Sequence, residues 1–148
     1  MVALTYQFSA LDTVVEEAHV FFEPLLSDAA GPVRASMMLH LQLAVHEWLA
    51  NLVQHARFPT GSPEISLAID EQDEAVVCVV EDNSDGFDLE EALRNRREGL
   101  SPLPERGMGL LILFACAREI HYDRHREGKN TLRFVVSDEG EKTLNIPF

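Results

Sequence analysis

Glu47, Asn51 and His55 recur every four residues in VHEWLANLVQHA, a spacing that stacks them on one helix face, each a turn above the last. A carboxylate so placed can accept a proton from a hydroxyl or a water, and the amide oxygen of Asn51 is a hard ligand suited to Mg²⁺. The same spacing is common on solvated helix faces, so the ridge also has an ordinary reading. Further on, the apolar run AVVCVV stops abruptly in EDNSDGFDL. Asp82, where that run ends, can accept a hydrogen bond from an exocyclic amine, and Gly86 permits a close approach or a positive φ. A plain Asn/Asp/Gly turn is the competing reading. A third stretch, PERGMGLLIL, opens an apolar helix with Gly107-Met108-Gly109. Glycines there clear side chains from the helix start, so that free N–H groups and the positive dipole end can meet a phosphate, and Arg106 adds a fork of donors. Thr131, at the start of the last strand, offers the pocket a hydroxyl, although a β-branched residue in a strand needs no ligand to explain it.

Hydrophobic periodicity supplies the elements that must carry these groups. LTYQFSA alternates as a short strand suited to a sheet edge, and residues from Asp12 to about Ala29 follow a helical pattern that Pro24 is expected to kink or end. Gly31-Pro32 punctuates the chain, and a long helix from about Val33 to Ala56 follows, with Met38, Leu41, Val45, Trp48, Leu49 and Leu52 as its apolar stripe. EISLAID and AVVCVVED read as strands, the second either covered on both faces or with its alternation masked by small residues. A short helix around Leu89 to Arg97, a proline-containing loop to Arg106 and the helix GMGLLILFACA come next, and REIHYDRH with TLRFVVSD closes the chain as a hairpin. This order predicts an α+β fold, a two-layer sandwich of a mixed sheet with helices on one face, in a single domain over residues 1–148.

Composition narrows the function classes. A formal charge of −13 disfavours direct nucleic-acid binding, because an acidic surface repels phosphates unless a local site holds them. No apolar run approaches the roughly 20 residues that span a bilayer, and no secretory leader is expected in MVALTYQFSA, so a cytoplasmic location is expected. Cys78 and Cys116 are each embedded in apolar sequence and read as reduced core residues. His19, His40, His121 and His125 lack ligand spacing and read as structural or surface residues.

In order and spacing, the three stretches resemble the N, G1 and G2 boxes of the GHKL superfamily, the Bergerat-type ATP-binding fold of gyrase and histidine kinases. Within it the chain looks most like the small anti-sigma-factor serine/threonine kinases of the RsbW type. The resemblance implies ATP and Mg²⁺ as cofactors, with Glu47 as general base, Asn51 as the Mg²⁺ ligand and Asp82 as the partner of the adenine amine. The family's DNGxGFD-like turn stands here as DNSDGFD, with Ser84 in place of the first glycine and Gly86 and Phe87 in agreement. ERGMGL carries over Arg106, Gly107, Met108, Gly109 and Leu110 as triphosphate contacts, and Thr131 falls where the family has a nucleotide-facing threonine. The activity implied is phosphorylation of a STAS-type anti-anti-sigma protein by a homodimer that also sequesters a sigma factor. Three alternatives stay open: an ATP-binding partner-switching module with little kinase activity, a histidine-kinase catalytic domain acting in trans, and control of a target other than a sigma factor.

Overall fold

The computed structural model describes residues 2–59, 61–72, 74–86, 117–126 and 128–137. In chain order the elements are β1 (Val2–Gln7), a 3-10 turn (Leu11–Thr13), α1 (Val14–Ser27), α2 (Gly31–His55), β2 (Ile65–Glu71), β3 (Ala75–Asp82), β4 (Glu119–Arg126) and β5 (Lys129–Ser137). The five strands form one sheet in the order β1-β2-β3-β5-β4. α2 packs on β3 and β5, and α1 packs on α2. The protein is therefore α+β, as the pattern predicts.

The sheet departs from expectation in one respect. Every pairing among the described strands is antiparallel, whereas the order of elements suggests a mixed sheet. β3 and β4 do run in the same direction, but β5 folds back from β4 and enters the sheet between them, so the two like-directed strands never touch. The pairing order is decided by long-range contacts and leaves no mark on the periodicity of any single strand.

Register explains the core. Ile65, Leu67 and Ile69 of β2 share a face with Val76, Cys78 and Val80 of β3 and with Leu132, Phe134 and Val136 of β5, and all nine are buried. The apolar run of β3 thus conceals a true alternation, since Val77 and Val79 point to the other face and are only half-buried. α2 meets this surface with the predicted stripe, extended by Met37 and Ala44. Trp48 lies fully inside, its ring edge-on to Tyr122 of β4 at a centroid distance of 5.3 Å. Cys78 is a free, buried thiol whose pKa burial pushes well up, which suits the core role expected of it; Cys116 lies outside the described residues. Pro24 sits inside α1 and does not end it. The carbonyl it deprives of a helical donor belongs to Val20, a residue on the solvent side, where water can serve. Among the described residues no helix is long and apolar enough to cross a membrane.

A carboxylate fastens the edge strand to the helical layer. Glu17 of α1 accepts hydrogen bonds from Tyr6 Oη at 2.7 Å, Ser9 Oγ at 2.9 Å, Ser9 N at 3.1 Å and Thr13 Oγ1 at 2.8 Å. Desolvation opposes the charged form, but the hydrogen bonds from Tyr6, Ser9 and Thr13 outweigh it and hold the pKa down at about 2. The folded pKa lies below the unfolded one, so this stabilisation is complete above the unfolded value of 4.5 and is lost as pH falls towards 2. Glu17→Gln is expected to cost about 1–2 kcal/mol at neutral pH, after allowing for solvent screening. Urea unfolding of both proteins at several pH values checks this, because the difference should shrink steadily below the unfolded pKa.

Candidate functional site

α2 carries Glu47 and Asn51 on the flank beside Trp48, both half-buried. Its buried stripe fixes the rotation of the helix against the sheet, and this leaves the polar ridge along the border of the core. Neither Glu47 nor Asn51 makes a hydrogen bond or ion pair with a described residue. Polar groups at a half-buried position with no such partner are open to water or to a ligand. His55, the last residue of the helix, is exposed.

β3 delivers Asp82 to the same layer. Its cross-strand partners are Ile65 and Asn130, so its side chain falls on the helix-facing side of the sheet, 1% exposed. Oδ1 accepts from the backbone N of Ser84 at 2.9 Å, from Asn130 Nδ2 at 3.0 Å and from the hydroxyl of Ser84. Oδ2 is buried and has no hydrogen-bond partner among the described residues. A buried carboxylate oxygen without a donor is costly, and it is the acceptor that an exocyclic amine would complete.

The turn after Asp82 is built from side chains that bond their own backbone. Ser84 Oγ accepts the N–H of Gly86 at 3.1 Å, and Asn130 Nδ2 donates to the carbonyl of Ser84 at 2.8 Å. Ser84 departs from the glycine of the family pattern, yet its hydroxyl links Asp82 to Gly86. Gly86 itself adopts φ +80°, and a Cβ there would lie 2.7 Å from Arg124 Cγ and 2.8 Å from Asn130 Oδ1.

Asn83 and Asp85 fasten this turn to the segment that leaves α2. Asn83 Oδ1 accepts from Glu64 N at 2.7 Å and its Nδ2 donates to Ser62 O at 2.8 Å. Asp85 Oδ1 accepts from Arg57 N at 3.2 Å, while Asp85 N donates to Arg57 O at 2.8 Å. Arg124 Nε of β4 closes the far side by donating to Asp85 O at 3.1 Å. The helix with the polar ridge and the turn with the buried carboxylate are thereby joined by a short, hydrogen-bonded connection.

One predicted contributor is misplaced. Thr131 pairs with Glu81 and Asp123, which puts it on the sheet face opposite Asp82 rather than beside it. Its neighbour Asn130, fully buried, takes that position. The signal was present in β5, where Leu132, Phe134 and Val136 mark the core face and a period of two places Asn130 with them. Phe87, Arg106, Gly107, Met108, Gly109 and Leu110 lie outside the described residues.

Among the described residues no group of three or more His, Cys, Asp or Glu side chains is arranged to hold a metal. Mg²⁺ makes no such demand, since it binds through one or two protein oxygens together with phosphates and water. The amide of Asn51, which no described residue engages, fits that manner of binding, and the orphaned Oδ2 of Asp82 fits an adenine amine.

Comparison with known families adds an independent line. The family model described as a histidine kinase-like ATPase domain matches residues 8–141, from just after β1 to beyond β5. No curated protein matches the chain.

The geometry at Gly86 is open to test. Gly86→Ala is expected to cost about 1–3 kcal/mol, the left-handed backbone and the crowding against Asn130 acting together. Gly128→Ala serves as the control, since Gly128 has φ +79° but a Cβ added to it would meet nothing within 4 Å, and it should lose only about 1 kcal/mol in urea unfolding.

Proposed function

Because the chain belongs to the family of histidine kinase-like ATPase domains, we propose that it binds ATP with Mg²⁺ and phosphorylates a serine or threonine of a partner protein. The observation that carries this reading is the buried Oδ2 of Asp82, an acceptor left without a donor beside a helix whose polar ridge no described residue engages. ATP would supply the phosphoryl group and Mg²⁺ would offset charge on the phosphates.

Each residue then has a distinct task. Asp82 selects the base by accepting its amine N–H. Asn51 offers its amide oxygen to Mg²⁺. Glu47, one turn earlier on the same flank, orients the attacking hydroxyl and takes its proton as the new O–P bond forms and ADP departs. By the resemblance, Arg106, Gly107, Met108, Gly109 and Leu110 would receive the triphosphate, and Gly86 and Phe87 would serve the base.

Resemblance in the three boxes extends the proposal to the partner. A STAS-type anti-anti-sigma protein is the substrate, and a homodimer of this chain also sequesters a sigma factor in the cytoplasm. The ridge favours a working kinase over a nucleotide-binding module, since both Glu47 and Asn51 are retained.

The deciding experiment incubates the purified protein with γ-labelled ATP, Mg²⁺ and each STAS protein encoded near its gene. Label is expected on a serine or threonine, and Glu47→Ala should lower transfer by about 10²–10⁴-fold while ATP still binds. Binding without transfer to any candidate would favour the binding module, and absence of ATP binding would overturn the proposal as a whole.

A further inference from the structure

We infer that Asn130 is a positioning residue that makes Asp82 a one-sided acceptor and so sets the preference of the pocket for a base bearing an exocyclic amine. This rests on the nucleotide-binding reading and goes beyond it, because Asn130 belongs to none of the three sequence boxes. A carboxylate offers about four lone-pair sites over its two oxygens. Here the donors all fall on one of them, with Ser84 N, the Ser84 hydroxyl and Asn130 Nδ2 on Oδ1, and no described donor on Oδ2. Two of these donors are local, two residues away within the turn, and would follow any rotation of Asp82 that the turn itself permits. Asn130 reaches in from the neighbouring strand and ties the carboxylate to the sheet.

The orientation of the Asn130 amide is forced by chemistry. Its nitrogen lies 2.8 Å from the carbonyl of Ser84 and 3.0 Å from Asp82 Oδ1, and an ionised carboxylate and a carbonyl can only accept. The amide cannot flip without setting its oxygen against both. Asn130 is fully buried, and its Oδ1 would lie 2.8 Å from any Cβ at Gly86, so the turn packs directly onto it. With Oδ1 of Asp82 filled, the remaining hydrogen-bonding capacity of the carboxylate is concentrated on Oδ2. A ligand that lacks a donor there leaves the oxygen buried and unsatisfied, which is the asymmetry by which polar pockets discriminate.

Calorimetric titration of the full chain with Mg²⁺ and either ATP or purine riboside triphosphate, which lacks only the amine, tests this. The wild-type protein is expected to prefer ATP by roughly 10- to 100-fold, the worth of one hydrogen bond to a charged group. In Asn130→Ala that preference should fall to below about threefold, because the carboxylate becomes free to turn and to meet water, while Asn130→Ser, keeping one donor, should fall between. A merely structural role would weaken both nucleotides by the same factor and leave the preference unchanged, and that result overturns the inference. Should Asn130→Ala melt below the assay temperature, Asn130→Ser decides in its place: a preference clearly below that of the wild type supports the inference, and an unchanged one overturns it. Failure of the underlying reading is separately visible, since a wild-type protein that binds neither nucleotide overturns both, whereas one that binds the two equally overturns this inference alone.

Discussion

Asp82 sits almost wholly out of water, and among the described residues no cation pairs with it; burying a carboxylate in that way costs several kcal/mol unless hydrogen bonds replace its hydration. Most of the local structure can be read as the answer to that cost. Ser84 stands where it can give both its N–H and its hydroxyl, Asn130 occupies the one β5 position that faces Asp82, and Gly86 takes the positive φ that lets the chain leave without a side chain pressing on Asn130. The requirement is met on one oxygen and not on the other.

The second constraint is mechanical. α2 has no freedom to rotate, because Trp48 and seven further apolar residues lock one side of it into the core. Glu47 and Asn51 therefore hold their angle to the sheet without any hydrogen bond to a described residue, and their chemistry is not spent on structure. The connection from Arg57 to Glu64 carries that positioning onward, since its backbone is pinned to Asn83 and Asp85 on either side of Ser84. The turn after Asp82 and the segment that leaves α2 are thereby held together.

Legibility from sequence followed the range of the interactions. The stripe of α2, the alternation in β2 and the strand-to-turn break at Asp82 are local, and each was readable. The pairing order was not, because insertion of β5 between β3 and β4 depends on contacts far apart in the chain. Thr131 shows the finest version of the same difficulty. A hydroxyl at that position was chemically attractive, yet the faces of a strand alternate, and a single residue of register separates Thr131 from Asn130. Ser84 erred in the other direction: the missing glycine read as a departure from pattern, while the hydroxyl that replaced it became one of the donors on which Asp82 depends. Residue types announce what a position can do, and only packing decides which face they do it on.

The acidic character of the chain remains to be squared with a polyanionic ligand. A formal charge of −13 spread over the surface acts through water and salt, where interactions fade beyond about 8 Å at physiological ionic strength. A phosphate therefore responds mainly to the few groups beside it. In the proposed arrangement those would be an amide at Asn51 and a carboxylate at Glu47, the latter next to a divalent cation. In the proposed arrangement Asp82 would meet the base and not the phosphates, and a charged acceptor would strengthen the hydrogen bond it receives there. Acidity that would repel a nucleic acid along its whole length is therefore no bar to one compact anion met by a few local groups.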